Sequence, residues 1–366
     1  MTGLSSVLAT GGQAASPMPP LAVADLDHAH GIVGPRWDGL REARIFLTGG
    51  TGFVGKWMLA TLLEADRRLG LGCKVTVLTR DPDAFLRQVP VLASAPQVTL
   101  TVGDVRSLEP DAQKFTHVIH AATDAVTTGR PLDTFDTCVE GTRRILDFAA
   151  HTGAREFLLV SSGAIYGRQP PNLQAVPVGF AGGPDTLGTG SAYAEGKRAA
   201  EWLAGAYTEE HGIRAKVARC FAFVGPYLPM DRHFAIGNFI RDAMAEQPLV
   251  ILGDGTPMRS YLHASEMAAW LWATLLEGRA GAAYNVGGAE TVSMAELARL
   301  VVKIIGSSSA IEVRKQALTG APIERYIPDV SRTLTELSLP SPLRLEEAIE
   351  RTVRWLARGD QPQPVA

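Results

Sequence analysis

The chain has 366 residues, is 46% hydrophobic and carries a formal net charge of −3. That suffices for one large or two modest cores and leaves no basic field to hold nucleic acid. No run approaches the ~20 apolar residues that span a bilayer, so no membrane partner is expected. Cys73, Cys138 and Cys220 are odd in number, far apart and without metal-ligand spacing. They read as buried free thiols of a cytoplasmic protein, with neither a disulfide framework nor a metal site.

In chain order, residues 1–20 lack Lys and Arg and a sustained apolar core. They read as a disordered tail and make a poor signal peptide. Residues 21–40 suggest a short arm packing Trp37 and Leu40 onto the body. His28 and His30 have no third ligand nearby and read as solvent-facing. RIFLT over 44–48 reads as a buried parallel strand. Gly49, Gly52 and Gly55 follow at G-x-x-G-x-x-G spacing, and helical periodicity runs over 56–69. Strand, glycine turn and helix together give a pyrophosphate cradle: a tight turn, close backbone approach, and a helix N-terminus facing the anion. A second strand over 72–80 ends in Thr79 and Arg80. An acid there would bind the ribose 2′-hydroxyl of NAD, whereas Arg80 suits the 2′-phosphate of NADP. Further strands are predicted at 98–102, 114–122, 156–162 and 215–221, with helices at 132–150 and 192–207. His117 and His120 read as strand-end packing residues. This alternation predicts an α/β fold, a doubly wound parallel sheet.

Beyond residue 223 the pattern changes to a Pro- and Gly-rich loop, a helix over 234–245 and a short strand over 249–252. GDGTPMRSYLHASE reads as a loop into a helix ending near 276. A strand over 283–286, a helix over 293–305 opened by the Ser293/Glu296 capping box, and a last helix over 345–357 complete the chain. The expected division is an N-terminal arm at 1–42, a dinucleotide-binding domain at 43–222, and a smaller C-terminal α/β substrate-binding domain at 223–366, with strand 283–286 returning to the first sheet.

Tyr193 and Lys197 form Y-x-x-x-K, and the i,i+4 spacing places both on one helical face. A nearby ammonium favours the phenolate, lowering a pKa that is otherwise ~10. The lysine can also reach a cofactor ribose. Ser161 and Ser162 end the strand at 156–162, at the sheet edge where ligands bind, so either hydroxyl could share a substrate oxygen with Tyr193.

TGGTGFVG, GDV, HAA, VSSGAIYG, YAEGK, RCFAFVGP, GDGTPMRSYLHASE and YNVGG occur here in one order. In this the chain resembles the extended short-chain dehydrogenases/reductases of the nucleotide-sugar epimerase/dehydratase group, over about residues 43–355. The resemblance implies a Rossmann fold, bound NAD or NADP, a nucleotide-diphosphate sugar as substrate, and a homodimer paired through helices 138–148 and 193–207. It puts Gly49, Gly52, Phe53, Val54 and Gly55 at the pyrophosphate turn, with Arg80 and then Asp104 and Val105 at the adenosine. Ala121 and Ala122 line the cofactor, Ser162 is the catalytic hydroxyl, Tyr193 the acid/base and Lys197 its partner. Gly163 and Asn238 are expected beside the substrate. Arg259 matches an arginine near the diphosphate, Arg325 is the nearest candidate for a second, and Asn285 lies in a motif closing the C-terminal half.

The 4,6-dehydratases of this group carry an Asp-Glu pair where this chain has Gly163 and Ala164, and the decarboxylases keep the Glu. Both reactions are therefore disfavoured. An epimerase acting through a transient keto-sugar needs only the Ser/Tyr/Lys set. An NADPH-dependent 4-keto-6-deoxysugar reductase needs the same residues and an exchangeable cofactor, which Arg80 favours. In fucose-type epimerase/reductases a Cys and a His add acid/base groups. Gly163 occupies the cysteine place, His233 is a candidate for the histidine, and Asp124 is a further candidate facing the sugar. A non-catalytic NADP-binding sensor or scaffold is the reading of a different class.

Overall fold

The computed structural model describes residues 17–109, 113–123, 130–231, 234–318 and 320–359. Asp124, His233 and most of the expected N-terminal tail lie outside them. The described chain opens with helix α1 (Val23–Val33) and a 3-10 turn over Gly34–Leu40. The dinucleotide half follows as β1 (Arg44–Thr48), α2 (Phe53–Leu69), β2 (Lys74–Thr79), short helices α3 (Pro82–Gln88) and α4 (Pro90–Ala93), β3 (Val98–Val102), β4 (His117–His120), α5 (Pro131–Thr152), β5 (Glu156–Ser162), α6 (Ala192–His211) and β6 (Arg214–Cys220). The remainder comprises β7 (Ala222–Val224), α7 (Ala235–Met244), β8 (Leu249–Ile251), β9 (Met258–His263), α8 (Ala264–Glu277), β10 (Ala283–Val286), β11 (Thr291–Ser293), α9 (Met294–Ile305), β12 (Ile311–Val313), β13 (Arg325–Tyr326), α10 (Ser331–Glu336) and α11 (Leu345–Gly359).

The main sheet has seven strands in the order β10-β6-β5-β4-β1-β2-β3, all paired in parallel. Both of its faces are covered, which explains the uninterrupted apolar runs of its strands. Along β1, Ile45 and Leu47 join a core with Trp57 of α2 and Trp270 of α8, while Phe46 joins Phe148 of α5 and Leu203 of α6 on the other face. The strand order reverses between β1 and β4, and a ligand crevice opens outside the carboxyl ends of strands at such a switch point.

A smaller sheet, β11-β9-β13 with β7 also on β9, stands beside those carboxyl ends. The sequence read most of β9 as loop, because its partners lie far away along the chain. Tyr326 of β13 pairs opposite Arg259, and Leu262 opposite Phe223 of β7. A third core, with Ile240 of α7, Val301 of α9 and Ile349 of α11, closes this half. The predicted capping box of α9 is present in both directions between Ser293 and Glu296.

The arm is an integral element. Trp37 and Leu40 are fully buried, and Asp25 pairs with Arg351 of α11 at 3.2 Å. Ordering reaches further towards the N-terminus than the sequence suggested. The carbonyls of Pro19 and Pro20 accept from the Tyr227 hydroxyl at 3.2 Å and the Trp355 indole at 3.0 Å. His28 and His30 are packed where the sequence placed them in solvent. His28 lies 3.7 Å from buried Glu266, and His30 stacks on Trp37 at 6.1 Å. The three cysteines are free and buried.

Candidate active site

The glycine turn is built for close approach. Gly49 has φ +72°, and a Cβ there would sit 2.5 Å from the carbonyl of Ala121. A Cβ on Gly55 would collide with the Gly49 carbonyl and Gly50 Cα. Gly52 caps α2, so the helix N-terminus faces the space above Gly49. Phe53 and Val54 start that helix, and Phe53 packs towards Phe223 with 6.3 Å between ring centroids. This cradle, which side chains would fill, fits a dinucleotide pyrophosphate.

Ala121 and Ala122 continue from β4 beside the turn, where the Ala122 N–H donates to Thr48 Oγ1 at 3.2 Å. His120 is locked below them, 2.7 Å from Thr48 Oγ1 and 3.2 Å from Thr142 Oγ1. Burial pushes its pKa down to about 3, so it is a neutral packing residue, in line with the sequence reading. Beyond β3, Arg106 grips the Asp104 carboxylate at 2.9 and 3.1 Å and holds its pKa below the usual range. Arg80 is exposed at the end of β2 and adds a weaker field on Asp104. Val105 is buried and packs against Gly141 of α5.

The end of β5 separates the two serines. Ser161 donates to Glu201 of α6 at 2.5 Å, away from the crevice. Ser162 faces the other way, towards Tyr193, whose pKa it holds down against burial. It also accepts from the Ala164 N–H at 3.1 Å. Ser162 is thus the serine in the site. Lys197 donates from Nζ to Thr123 Oγ1 at 2.9 Å and to the Val160 carbonyl at 2.8 Å. Its ammonium lies 5.9 Å from the Tyr193 ring.

The electrostatics of Tyr193 differ from the sequence expectation. Burial is the largest influence and raises its pKa, with Ser162 opposing it. Desolvation also lowers that of Lys197. Burial thus favours the neutral phenol of Tyr193.

Gly163 leaves no room for a side chain, because a Cβ would meet three carbons of the Phe221 ring at 2.6 to 2.8 Å. Arg259 pairs with Glu324 and lies 5.9 Å from the ring of Tyr326. Arg325 is not brought to the same face. Strand alternation puts it with Met258, opposite to Arg259 and Tyr326, and it bonds the Pro171 carbonyl at 3.3 Å. Asn238, on α7, is half-buried with its Oδ1 3.4 Å from Arg241. Asn285 is fully buried and holds segments from both halves: it accepts from Tyr166 at 2.7 Å and donates to the carbonyls of Val176 and Asp329 at 2.9 and 3.0 Å.

The sequence missed three residues here. Phe221 and Tyr326 wall the site, and Glu201 holds Ser161 and a bidentate contact from Arg219. Only Glu201 carried a signal, lying one helical turn beyond Lys197.

Residues 45–287 match the model of the NAD dependent epimerase/dehydratase family. UDP-glucuronic acid decarboxylase 1 of Arabidopsis thaliana is 30% identical over 318 residues, covering 86% of this chain and 70% of the relative. Among solved structures, dTDP-glucose 4,6-dehydratase of Bacillus anthracis in complex with NAD superposes with a TM-score of 0.72 at 20% identity, covering 87% of this chain and 97% of that one. UDP-glucuronic acid 4-epimerase of Bacillus cereus in complex with NAD gives 0.72 and 20%, with 87% and 100% covered. The structural likenesses concern the fold, whereas the family match rests on sequence. The chain belongs to the NAD dependent epimerase/dehydratase family.

Proposed function

We propose that the protein is a nucleotide-sugar epimerase that works through a transient keto-sugar. The observation that carries this reading is the convergence of Ser162, Tyr193 and Lys197 beside the glycine cradle, with no ionisable group at 163 or 164. The bound nicotinamide supplies a hydride acceptor and donor. The chain's own residues manage the proton. Tyr193, as the phenolate that the Lys197 ammonium favours against burial, takes it from the sugar hydroxyl and, as the phenol, returns it to the keto oxygen, while Ser162 holds that oxygen. The cradle of Gly49, Gly52 and Gly55 would hold the pyrophosphate, and Arg259 would exchange Glu324 for the substrate diphosphate. A homodimer through α5 and α6 is part of the proposal. Trp202 is 70% exposed on α6, and light scattering tests the association. Among the described residues no helix is long and apolar enough to cross a membrane.

A second reading is an NADPH-dependent ketoreductase, favoured by the exposed Arg80 at the end of β2. Decarboxylation, the activity named for the Arabidopsis relative, is disfavoured by Ala164.

The first test is mass spectrometry of the nucleotide released on denaturing the purified chain. Stoichiometric NAD supports the epimerase, and an empty site that binds NADPH supports the reductase. Incubation with UDP-glucose and UDP-glucuronic acid then separates the outcomes. A C4 epimer supports the proposal, and release of CO2 from UDP-glucuronic acid overturns it. Cofactor binding with no turnover across a wider panel, 4-keto sugars included, points to a sensor. Tyr193→Phe and Lys197→Met are each expected to cost at least about 100-fold in turnover.

A further inference from the structure

Among the described contacts no carboxylate bonds the Lys197 ammonium, although it is only 3% exposed on α6. The Glu201 carboxylate, one turn further on, is taken bidentately by Arg219 at 3.1 and 2.7 Å. Two neutral oxygens accept from Lys197 instead, the Val160 carbonyl of β5 at 2.8 Å and Thr123 Oγ1 at 2.9 Å. Thr123 is itself fixed just beyond β4. Its backbone N–H donates to the Ala121 carbonyl at 3.1 Å, and its hydroxyl to the Ala122 carbonyl at 2.7 Å. The Ala121 carbonyl is the group that a Cβ on Gly49 would strike, and the Ala122 N–H is bonded to Thr48 Oγ1 at 3.2 Å. A chain of contacts thus runs from the glycine cradle through Ala121, Ala122 and Thr123 to the ammonium.

A threonine hydroxyl has one proton. The Ala122 carbonyl takes it, so Thr123 Oγ1 meets Lys197 only as an acceptor. An ammonium carries three N–H donors. Val160 and Thr123 take two of them, which fixes the direction of the third. We propose that Thr123 is a positioning residue for the proton-transfer site: it keeps Lys197 charged and aims its third N–H into the crevice between the glycine cradle and Tyr193. A hydrogen bond to an ionised group favours the ionised form. The two acceptors therefore offset the burial that pushes the Lys197 pKa down. Of the two, only Thr123 acts through its side chain and can be removed by substitution. The titratable and charged groups facing the ammonium are Tyr193 and Glu201 of α6, Cys138 of α5, His120 of β4 and Cys220 of β6. Burial keeps His120, Cys138 and Cys220 neutral, and Arg219 balances Glu201. The charge on Lys197 thus depends on its two oxygen partners more than on any anion.

This inference rests on the Ser/Tyr/Lys reading above. The test uses the full chain with saturating NAD, unmodified and as T123V, T123S and K197M. Valine keeps the shape of threonine without the hydroxyl, and serine keeps the hydroxyl. In protein labelled with carbon-13 at the lysine Cε, the Lys197 NMR resonance, assigned by its loss in K197M, is titrated against pH. The expected result is a downward shift of the Lys197 titration by about one pH unit in T123V. In T123S the shift should stay below about a third of a unit, because the acceptor is kept. A threonine that only packs predicts one titration for all three chains. The titration needs no turnover, so it decides the inference by itself. Turnover of whichever of UDP-glucose and UDP-glucuronic acid reacts should fall about tenfold in T123V at neutral pH, with KM within about twofold, and T123S should restore it to within about twofold. An unshifted Lys197 in folded T123V, or an equal shift in T123S, overturns the proposal. If T123V fails to fold by circular dichroism, T123A takes its place under the same criteria. Full activity in Y193F and K197M would instead refute the underlying functional reading.

Discussion

Replacing Asn285 with aspartate tests the network that joins the two halves behind the site. The Asn285 side chain is fully buried, with Oδ1 accepting from Tyr166 and Nδ2 donating to two carbonyls, Val176 and Asp329. Aspartate has nearly the same shape and keeps the Tyr166 bond. The amide nitrogen becomes an oxygen facing two carbonyl oxygens. In its neutral form the carboxyl has one proton and can satisfy one carbonyl. In its ionised form it satisfies neither and repels both. A buried polar group left unpaired costs about 1–3 kcal/mol, so the neutral form should cost about 2 kcal/mol and the ionised form about 4 kcal/mol. With an unfolding entropy of about 2.1 cal/mol/K per residue, a chain of this length loses about 1.3 °C of Tm per kcal/mol. The expected losses are about 3 and 5 °C. The sign with pH follows from burial, which raises the folded pKa of the introduced carboxyl above its unfolded value near 3.9. The penalty is then smallest below about pH 4 and grows as pH rises through the folded value. Thermal unfolding of both chains at pH 5 and pH 8, taken as differences from the unmodified protein, reads this directly. A Tm of N285D within 1 °C of the parent at both pH values refutes the argument, because the three bonds would then contribute nothing net.

Three further outcomes follow from the geometry. G163D should be destabilised by about 1–3 kcal/mol through overpacking against the Phe221 ring, and F221A should rescue part of that loss in the double variant, as read by urea unfolding. His117, His120 and His263 are held down to about 4, 3 and 3 by burial. Their depressed pKa values mean that their stabilisation is fully present above about pH 6.5 and is lost as pH falls towards 4. H120Q should flatten the urea-midpoint profile over that window by about 1.4 kcal/mol per pH unit. W37A removes a fully buried ring that lies 5.6 Å from Trp272. It should cost about 3–5 kcal/mol, and a loss below 1 kcal/mol in the same assay would show that the arm is not integral to the fold.

The parallel sheet was legible because its strands are covered on both faces, and such strands announce themselves as short apolar runs such as IFL and FLLV. The glycine spacing was legible because the close approach of Gly49 to Ala121 tolerates no other residue type. The small sheet was not legible. β9 alternates poorly between apolar and polar, and it is a strand only because β7, β11 and β13, widely separated along the chain, supply its partners. Tyr326 was hidden for the same reason. Its neighbour Arg325 drew attention as the charged residue, yet alternation along β13 turns Arg325 away from Arg259 and sets Tyr326 opposite it. The lowered pKa expected for Tyr193 failed because the sequence shows the lysine four residues away but not the desolvation that outweighs it.

The pair Ser161 and Ser162 shows why adjacent residues at a strand end divide their work. A period of two sends them to opposite faces. Ser161 meets Glu201, which holds Arg219 bidentately. Arg219 donates to the Tyr166 hydroxyl at 2.9 Å, and Tyr166 donates to Asn285. Ser162 lowers the pKa values of Tyr193 and Tyr326 on the other face. One face of the strand end therefore anchors the segments at Val176 and Asp329, and Asp329 lies three residues beyond Tyr326. The other face receives the phenol that those segments carry. A change that loosens Asn285 should thus reach Ser162 through β13 as well as lower stability. The kinetic signature is that N285D should lower turnover as well as Tm, although Asn285 bonds neither Ser162 nor Tyr193.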